Sequence, residues 1–161
     1  MLYEISYVLG ENSPNWPGNP KEVFVIDQNQ LKGDLCNTTI VQHFLHNGTH
    51  VDTPKHFYSP GKDITQIPIE DFYYTSPFLL TLFKKSGELI TKEDLQTHSS
   101  KIEKCDLLCI YTGNAIKRET NPVDYTTEFP ALSLEAAIYL RTSFPKMKAI
   151  ALDFISVDSA V

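Results

Sequence analysis

The run His46-Asn47-Gly48-Thr49-His50-Val51-Asp52-Thr53-Pro54-Lys55-His56 places three of the chain's five histidines within eleven residues. His46, Gly48, His50, Asp52, Pro54 and His56 share one parity, so an extended backbone would carry them on one face. A straight strand, rising about 3.3 Å per residue, would still hold His46 and His50 roughly 13 Å apart. Two imidazoles sharing one ion, with metal–nitrogen bonds of about 2.1 Å, bring their ligand atoms to about 3–4 Å. If both rings serve one ion, the backbone has to bend near Gly48, where glycine tolerates unusual dihedrals and leaves room. Pro54 then fixes the exit and biases Thr53 toward an extended conformation. Thr49, on the opposite parity, is placed to hydrogen-bond its neighbours and hold the bend.

For a single histidine, a polar loop with the ring satisfied by backbone carbonyls would be the ordinary reading. Four ligand-type groups on one parity around a glycine point instead to a metal site. Imidazole with carboxylate is the ligand set that borderline divalent ions such as zinc prefer.

The run resembles the pattern H-x-G-T-H-x-D-x-P-x-H of the cyclase family of metal-dependent hydrolases, which includes the bacterial-type kynurenine formamidases. Every fixed position matches. Further segments agree in the same order. Trp16-Pro17-Gly18-Asn19 resembles a W-P-G-[DN] element, and Tyr111-Thr112-Gly113 a strand-end R-T-G with tyrosine in place of arginine. Phe129-Pro130-Ala131-Leu132-Ser133 resembles F-P-G-L-S before a helix, and Leu152-Asp153 with Ser156-Val157-Asp158 resembles I-D-x-x-S-V-D. The resemblance implies an α/β fold of the swivelling β/β/α type, strand-rich with a mixed sheet and a few helices.

The chemistry expected of the run follows. His46, His50 and Asp52 are the candidate metal ligands, and three protein ligands leave a position open for water, as catalytic sites require. Zinc is the expected ion and manganese the alternative, since nitrogen–oxygen sites accept both. The resemblance assigns these positions the same roles and allows Asp52 to bridge two ions, so one or two ions per site are expected. His56, beyond Pro54, is the candidate catalytic acid/base, histidine being the side chain whose charge changes near neutral pH. A histidine that only orients a ligand is the other role open to it. Trp16, Phe57 and Tyr58 are candidate substrate contacts, suited to a flat aromatic compound, though aromatics are equally packing residues. His43 and His98 receive no role.

Three functions are compatible with these residues. The first is a metal-dependent amidohydrolase acting on a small-molecule amide, with N-formylkynurenine hydrolysis as the best-known activity of the family. The second keeps the chemistry and changes the substrate to a cyclic amide or lactam such as isatin, or another small carbonyl compound. The third is a catalytically silent metal- or ligand-binding protein. The resemblance also implies a homodimer or higher homo-oligomer.

Composition is consistent with these expectations. At 161 residues, with 42% hydrophobic and 21% charged residues, the chain reads as one soluble globular domain over 1–161. No apolar run approaches the roughly 18 residues of a membrane span, and the N-terminus lacks the regions of a signal peptide. A net charge of −6 without a basic cluster argues against nucleic acid as a partner. Cys36, Cys105 and Cys109 are odd in number, and the latter two read as core residues, so free thiols and a cytoplasmic location are expected.

Alternation and β-branched content predict strands near 3–9, 22–27, 37–46, 77–84, 105–111 and 148–154. Helices are predicted from Thr91, where Asp94 completes capping-box spacing, and from Ser133, where Pro145 ends the apolar stripe. The resemblance implies a further segment, after the Ser156-Val157-Asp158 element, that supplies another histidine and a glutamate to the metal site. The sequence stops at Val161, so it is expected either to be part of a longer protein or to be a shortened member with a weakened site.

Overall fold

The computed structural model describes residues 4–159 and divides into two units, 1–61 and 62–161. In the first, β1 (Val23–Gln28) and β2 (Thr38–Gln42) form an antiparallel ribbon with Val25 opposite Ile40 and a register irregularity between Ile26 and Gln28. Its turn is built locally: Asn29 caps a 3-10 turn over Gln30–Lys32 through Leu31, and Gly33 closes it at φ 96°. Apolar side chains stand exposed along both strands, among them Ile26 and Ile40.

In the second unit, β3 (Pro77–Thr81) is followed by β4 (Leu89–Ile90), α1 (Lys92–Gln96), α2 (Ser99–Ile102) and β5 (Leu107–Tyr111). Next come α3 (Lys117–Thr120), α4 (Pro122–Thr127), β6 (Ala131–Leu132), α5 (Leu134–Ser143) and β7 (Ala149–Leu152). Strands β3, β5 and β7 make a parallel sheet in that order, with Leu80, Ile110 and Leu152 in register. Strands β4 and β6 pair separately, also in parallel. Parallel neighbours need helical crossovers, and the helices between β3 and β7 supply them.

The hydrophobic core lies in this unit, where Leu108 and Ile110 of β5 pack with Leu80, Leu95, Leu140 and Phe144. Helix α5 forms as expected. Ser133 accepts a hydrogen bond from the amide of Ala136 at 3.1 Å, Ala136 and Leu140 are buried, and Pro145 follows the last turn. The capping box at α1 is present as well, since Asp94 accepts from the Thr91 amide at 2.8 Å while Thr91 accepts from the Asp94 amide. That helix is short, and His98 separates it from α2.

Two carboxylates tie the sheet ends together. Asp106 accepts from the amides of Thr75 and Ser76 at the entry to β3, while its own carbonyl accepts from Lys148 and Ala149 at the entry to β7. Asp153, just past β7, accepts from the amides of Thr112, Gly113 and Ala115 and from the Thr112 hydroxyl. The segments resembling R-T-G and I-D-x-x-S-V-D are therefore the two halves of one joint, in which Gly113 adopts φ 87°.

One expected strand is absent. Residues 4–9 pair with no other strand, and residue 3 lies outside the described residues. Apolar alternation is there, but Ile5 and Val8 stay exposed, and the Tyr7 amide is taken by the Thr49 hydroxyl rather than by a ladder. Cys105 is buried just ahead of β5, Cys109 is half-buried within it, and all three cysteines are free. Among the described residues no helix is long and apolar enough to cross a membrane.

Candidate metal centre

The chain leaves β2 through His43 and Phe44 and turns at Gly48, whose φ of 69° lies in the left-handed region. A Cβ there would stand 3.0 Å from Leu9 Cδ1, so conformation and space both favour glycine. The bend brings His46, His50 and Asp52 together, with one ligand atom from each within 4.8 Å of the others. His46 Nδ1 lies 2.7 Å from Asp52 Oδ1, and His50 Nε2 lies 3.4 Å from the same oxygen. Two ligands on a tetrahedral ion with bonds of about 2.05 Å are separated by about 3.3 Å. The two spacings to Asp52 bracket that value and all three atoms lie within 4.8 Å, so the donor set fits a small divalent ion once the His46–Asp52 hydrogen bond gives way to it.

The second nitrogen of His50 is also engaged. Its Nδ1 lies 3.0 Å from the carbonyl of Gly48 and donates to it, so that in the neutral ring the lone pair is on Nε2, the nitrogen on the side of Asp52. Thr49 anchors the bend, although its hydroxyl accepts from the Tyr7 amide at 3.2 Å rather than from a close neighbour in sequence. All three candidate ligands remain accessible to solvent, with His46 and Asp52 side chains 37% and 40% exposed.

His56 rides on a 3-10 turn, Pro54–His56, that Thr53 precedes in an extended conformation. Its ring stacks on His46, with centroids 3.9 Å apart and planes at 25°. Phe57 meets the other neighbour of this stack, its ring centroid 4.2 Å from that of His56. Tyr58 is exposed, and its amide donates to the Pro54 carbonyl to close the turn. Trp16 is 37% exposed, its amide capped by Asn15 Oδ1 at 2.8 Å. The turn is packed from beneath by Gly61, where a Cβ would lie 2.7 Å from Pro54 C and 2.9 Å from Lys55 N.

Sequence reasoning passed over two residues of this neighbourhood. Nothing in the residues around Gly61 signals that its backbone packs against the Pro54–His56 turn. Glu22 is buried at the foot of β1 and binds His43 and Asn47, at separations of 21 and 25 residues along the chain. A single glutamate after Lys21 looks like an ordinary solvated charge, and no local pattern announces such a partner.

The second unit holds a cavity of about 480 Å³ between α5 and β7, lined by Leu140, Phe144, Ile150 and Val157 with Arg141 and Asp158 at its polar side.

Residues 3–159 match the family described as putative cyclase, and the chain belongs to that family. Its relatives include a protein of Haemophilus influenzae, described only as uncharacterized, which is 33% identical over 109 residues, 68% of this chain and 77% of that one. The kynurenine formamidase of Geobacillus thermodenitrificans is 28% identical over 155 residues, covering 96% of this chain and 69% of the relative. That of Bacillus cereus ATCC 14579 is 26% identical over the same span. A solved structure described as a potential metal-dependent hydrolase with cyclase activity superposes with a TM-score of 0.66 at 21% identity, covering 99% of this chain and 71% of that chain. This likeness establishes a shared fold, in agreement with the expected strand-rich α/β class.

Proposed function

We propose that this protein is a metal-dependent amidohydrolase whose substrate is an aryl formamide, N-formylkynurenine being the best candidate. The convergence of His46, His50 and Asp52 on one point, with His56 stacked against it, carries the reading. Kynurenine formamidases among the relatives support the choice of substrate. His46, His50 and Asp52 would hold the ion, zinc in the first instance and manganese as the alternative. When bound, it supplies Lewis acidity toward a carbonyl oxygen and an acidified water.

The residues do the rest. The Gly48 carbonyl keeps His50 in the tautomer whose Nε2 is free to bind, and Asp52 presents an oxygen between the two imidazoles. In the hydrolysis the formyl C–N bond breaks and water adds its hydroxyl to the formyl carbon, giving formate. The imidazole of His56 takes the proton that water sheds and passes it to the departing aryl nitrogen, so the histidine ends the turnover in the state in which it began. Phe57, edge-on to His56, and Trp16 and Tyr58 are assigned to the flat ring of the substrate. A homodimer or higher homo-oligomer in the cytoplasm completes the reading, in keeping with three cysteines that form no disulfide.

A cyclic amide is the competing substrate, favoured by the cyclase activity ascribed to the neighbouring structure. Elemental analysis of the purified protein, with and without reconstitution by zinc or manganese, is paired with assays on N-formylkynurenine and isatin. The proposal expects bound metal and release of kynurenine, both abolished in His50→Ala. Turnover of isatin alone would shift the substrate class. Metal without turnover of any amide would make this a silent binding protein, and no divalent metal after reconstitution would overturn the proposal.

A further inference from the structure

We infer that Glu22 is a positioning residue of the metal centre, its buried carboxylate fixing the entry to the histidine run and, through Asn47 and Gly48, the orientation of His50. The inference rests on the metal site proposed above and adds to it a residue far outside that run.

Among residues 4–61, Glu22 and Asn47 are the buried ones, and both are polar. A buried carboxylate is costly unless it is fully hydrogen-bonded, so its partners matter. Glu22 Oε2 lies 2.7 Å from His43 Nδ1, and Oε1 accepts from Asn47 Nδ2 at 2.8 Å. The amide of Phe44 also donates to it. Burial pushes its pKa up, but the bonds from Asn47 and His43, the His43 charge and the Phe44 amide outweigh burial and hold the carboxyl below its usual range. The group is thus an ionised acceptor, and all its donors come from the five residues 43–47 that lead into the site.

Asn47 passes this restraint forward. Its Oδ1 accepts from the Gly48 amide at 2.8 Å, fixing the peptide on the near side of the bend. The carbonyl of the same glycine accepts from His50 Nδ1 at 3.0 Å. Hydrogen bonds therefore tie the buried carboxylate to Asn47 and Asn47 to the Gly48 amide, and the backbone of Gly48 carries the restraint on to the carbonyl that holds the His50 ring. Partners that orient metal-binding histidines typically change metal affinity by about 10–100-fold when removed.

The test uses the full chain and Co²⁺ alone as the probe, read by titration calorimetry and by the visible absorption of the bound ion. Circular dichroism fixes a temperature at which each variant is folded. Glu22→Gln keeps the side-chain shape and removes the charge, and its Co²⁺ affinity should fall about 10–100-fold with a shifted visible band. Asn47→Ala leaves the carboxylate bonded to His43 and Phe44 while cutting its link to Gly48, and should act in the same direction. It decides the matter alone if Glu22→Gln does not fold. If the folded variants match the unmodified protein in affinity and spectrum, whatever their melting temperatures, Glu22 is only a stability residue and the inference is overturned. His50→Ala separates the two levels: equal Co²⁺ binding by it and the unmodified protein would remove the metal site itself.

Discussion

Replacing Gly61 by alanine tests how the site holds its acid/base candidate. The added Cβ would lie 2.7 Å from Pro54 C, 2.8 Å from the Tyr58 carbonyl oxygen and 2.9 Å from Lys55 N. Every one of these is a backbone atom, so no side-chain rotamer relieves the overlap. Restoring ordinary contact at 3.4 Å requires the turn and residue 61 to separate by about 0.7 Å at the tightest point. It also disturbs the hydrogen bond from the Gly61 amide to the Tyr58 carbonyl. Overpacking of this kind costs about 1–3 kcal/mol. The displaced turn carries His56 but none of the candidate ligands. Since a misplacement of about 1 Å can cost on the order of 10²-fold in rate, kcat on N-formylkynurenine should fall about 10–100-fold. Metal content should stay at the level of the unmodified protein. Gly10→Ala serves as the control, because a Cβ there meets nothing within 4 Å. Elemental analysis, thermal melting and steady-state kinetics on the two variants provide the readout. A Gly61→Ala protein with unchanged melting temperature and kcat would refute the packing argument. Lost metal together with lost rate would show that the two halves of the run are not mechanically separate.

Two stability predictions concern the second unit. Leu108→Ala removes a side chain with no solvent exposure at the centre of β5 and should cost about 2–5 kcal/mol by chemical denaturation. Burial raises the pKa of Asp94, but the Lys84 ammonium at 2.7 Å and the Thr91 donors more than offset this, holding it below the usual carboxylate range. Its folded pKa being the lower one, its stabilisation is present above the unfolded value of about 4 and is lost as pH falls through the folded value. Melting curves of Asp94→Asn should therefore show a shallower loss of stability below about pH 4 than the unmodified protein, and an unchanged acid limb would count against the pairing.

The candidate site was readable to the extent that it is continuous in sequence. One bend at Gly48 suffices to bring His46, His50 and Asp52 together, and parity with ligand geometry demands that bend. The caps at Thr91 and Ser133 were equally legible because capping operates within four residues. What escaped is non-local. The restraint from Glu22 reaches across the ribbon, and the packing of Gly61 depends on how a turn folds back on its own backbone. The segment 4–9 misled for a related reason, since alternation reports the residues of a strand but not whether a partner offers a ladder.

The joint made by Asp153 bears on the order in which the chain acquires structure. The amides of Thr112, Gly113 and Ala115 and the Thr112 hydroxyl find their acceptor only in a residue about forty positions later. During synthesis from the N-terminus the turn leaving β5 therefore bonds to water and lacks this protein acceptor until β7 has emerged and docked. Protection of those three amides from solvent exchange thus becomes a clock for completion of the parallel sheet.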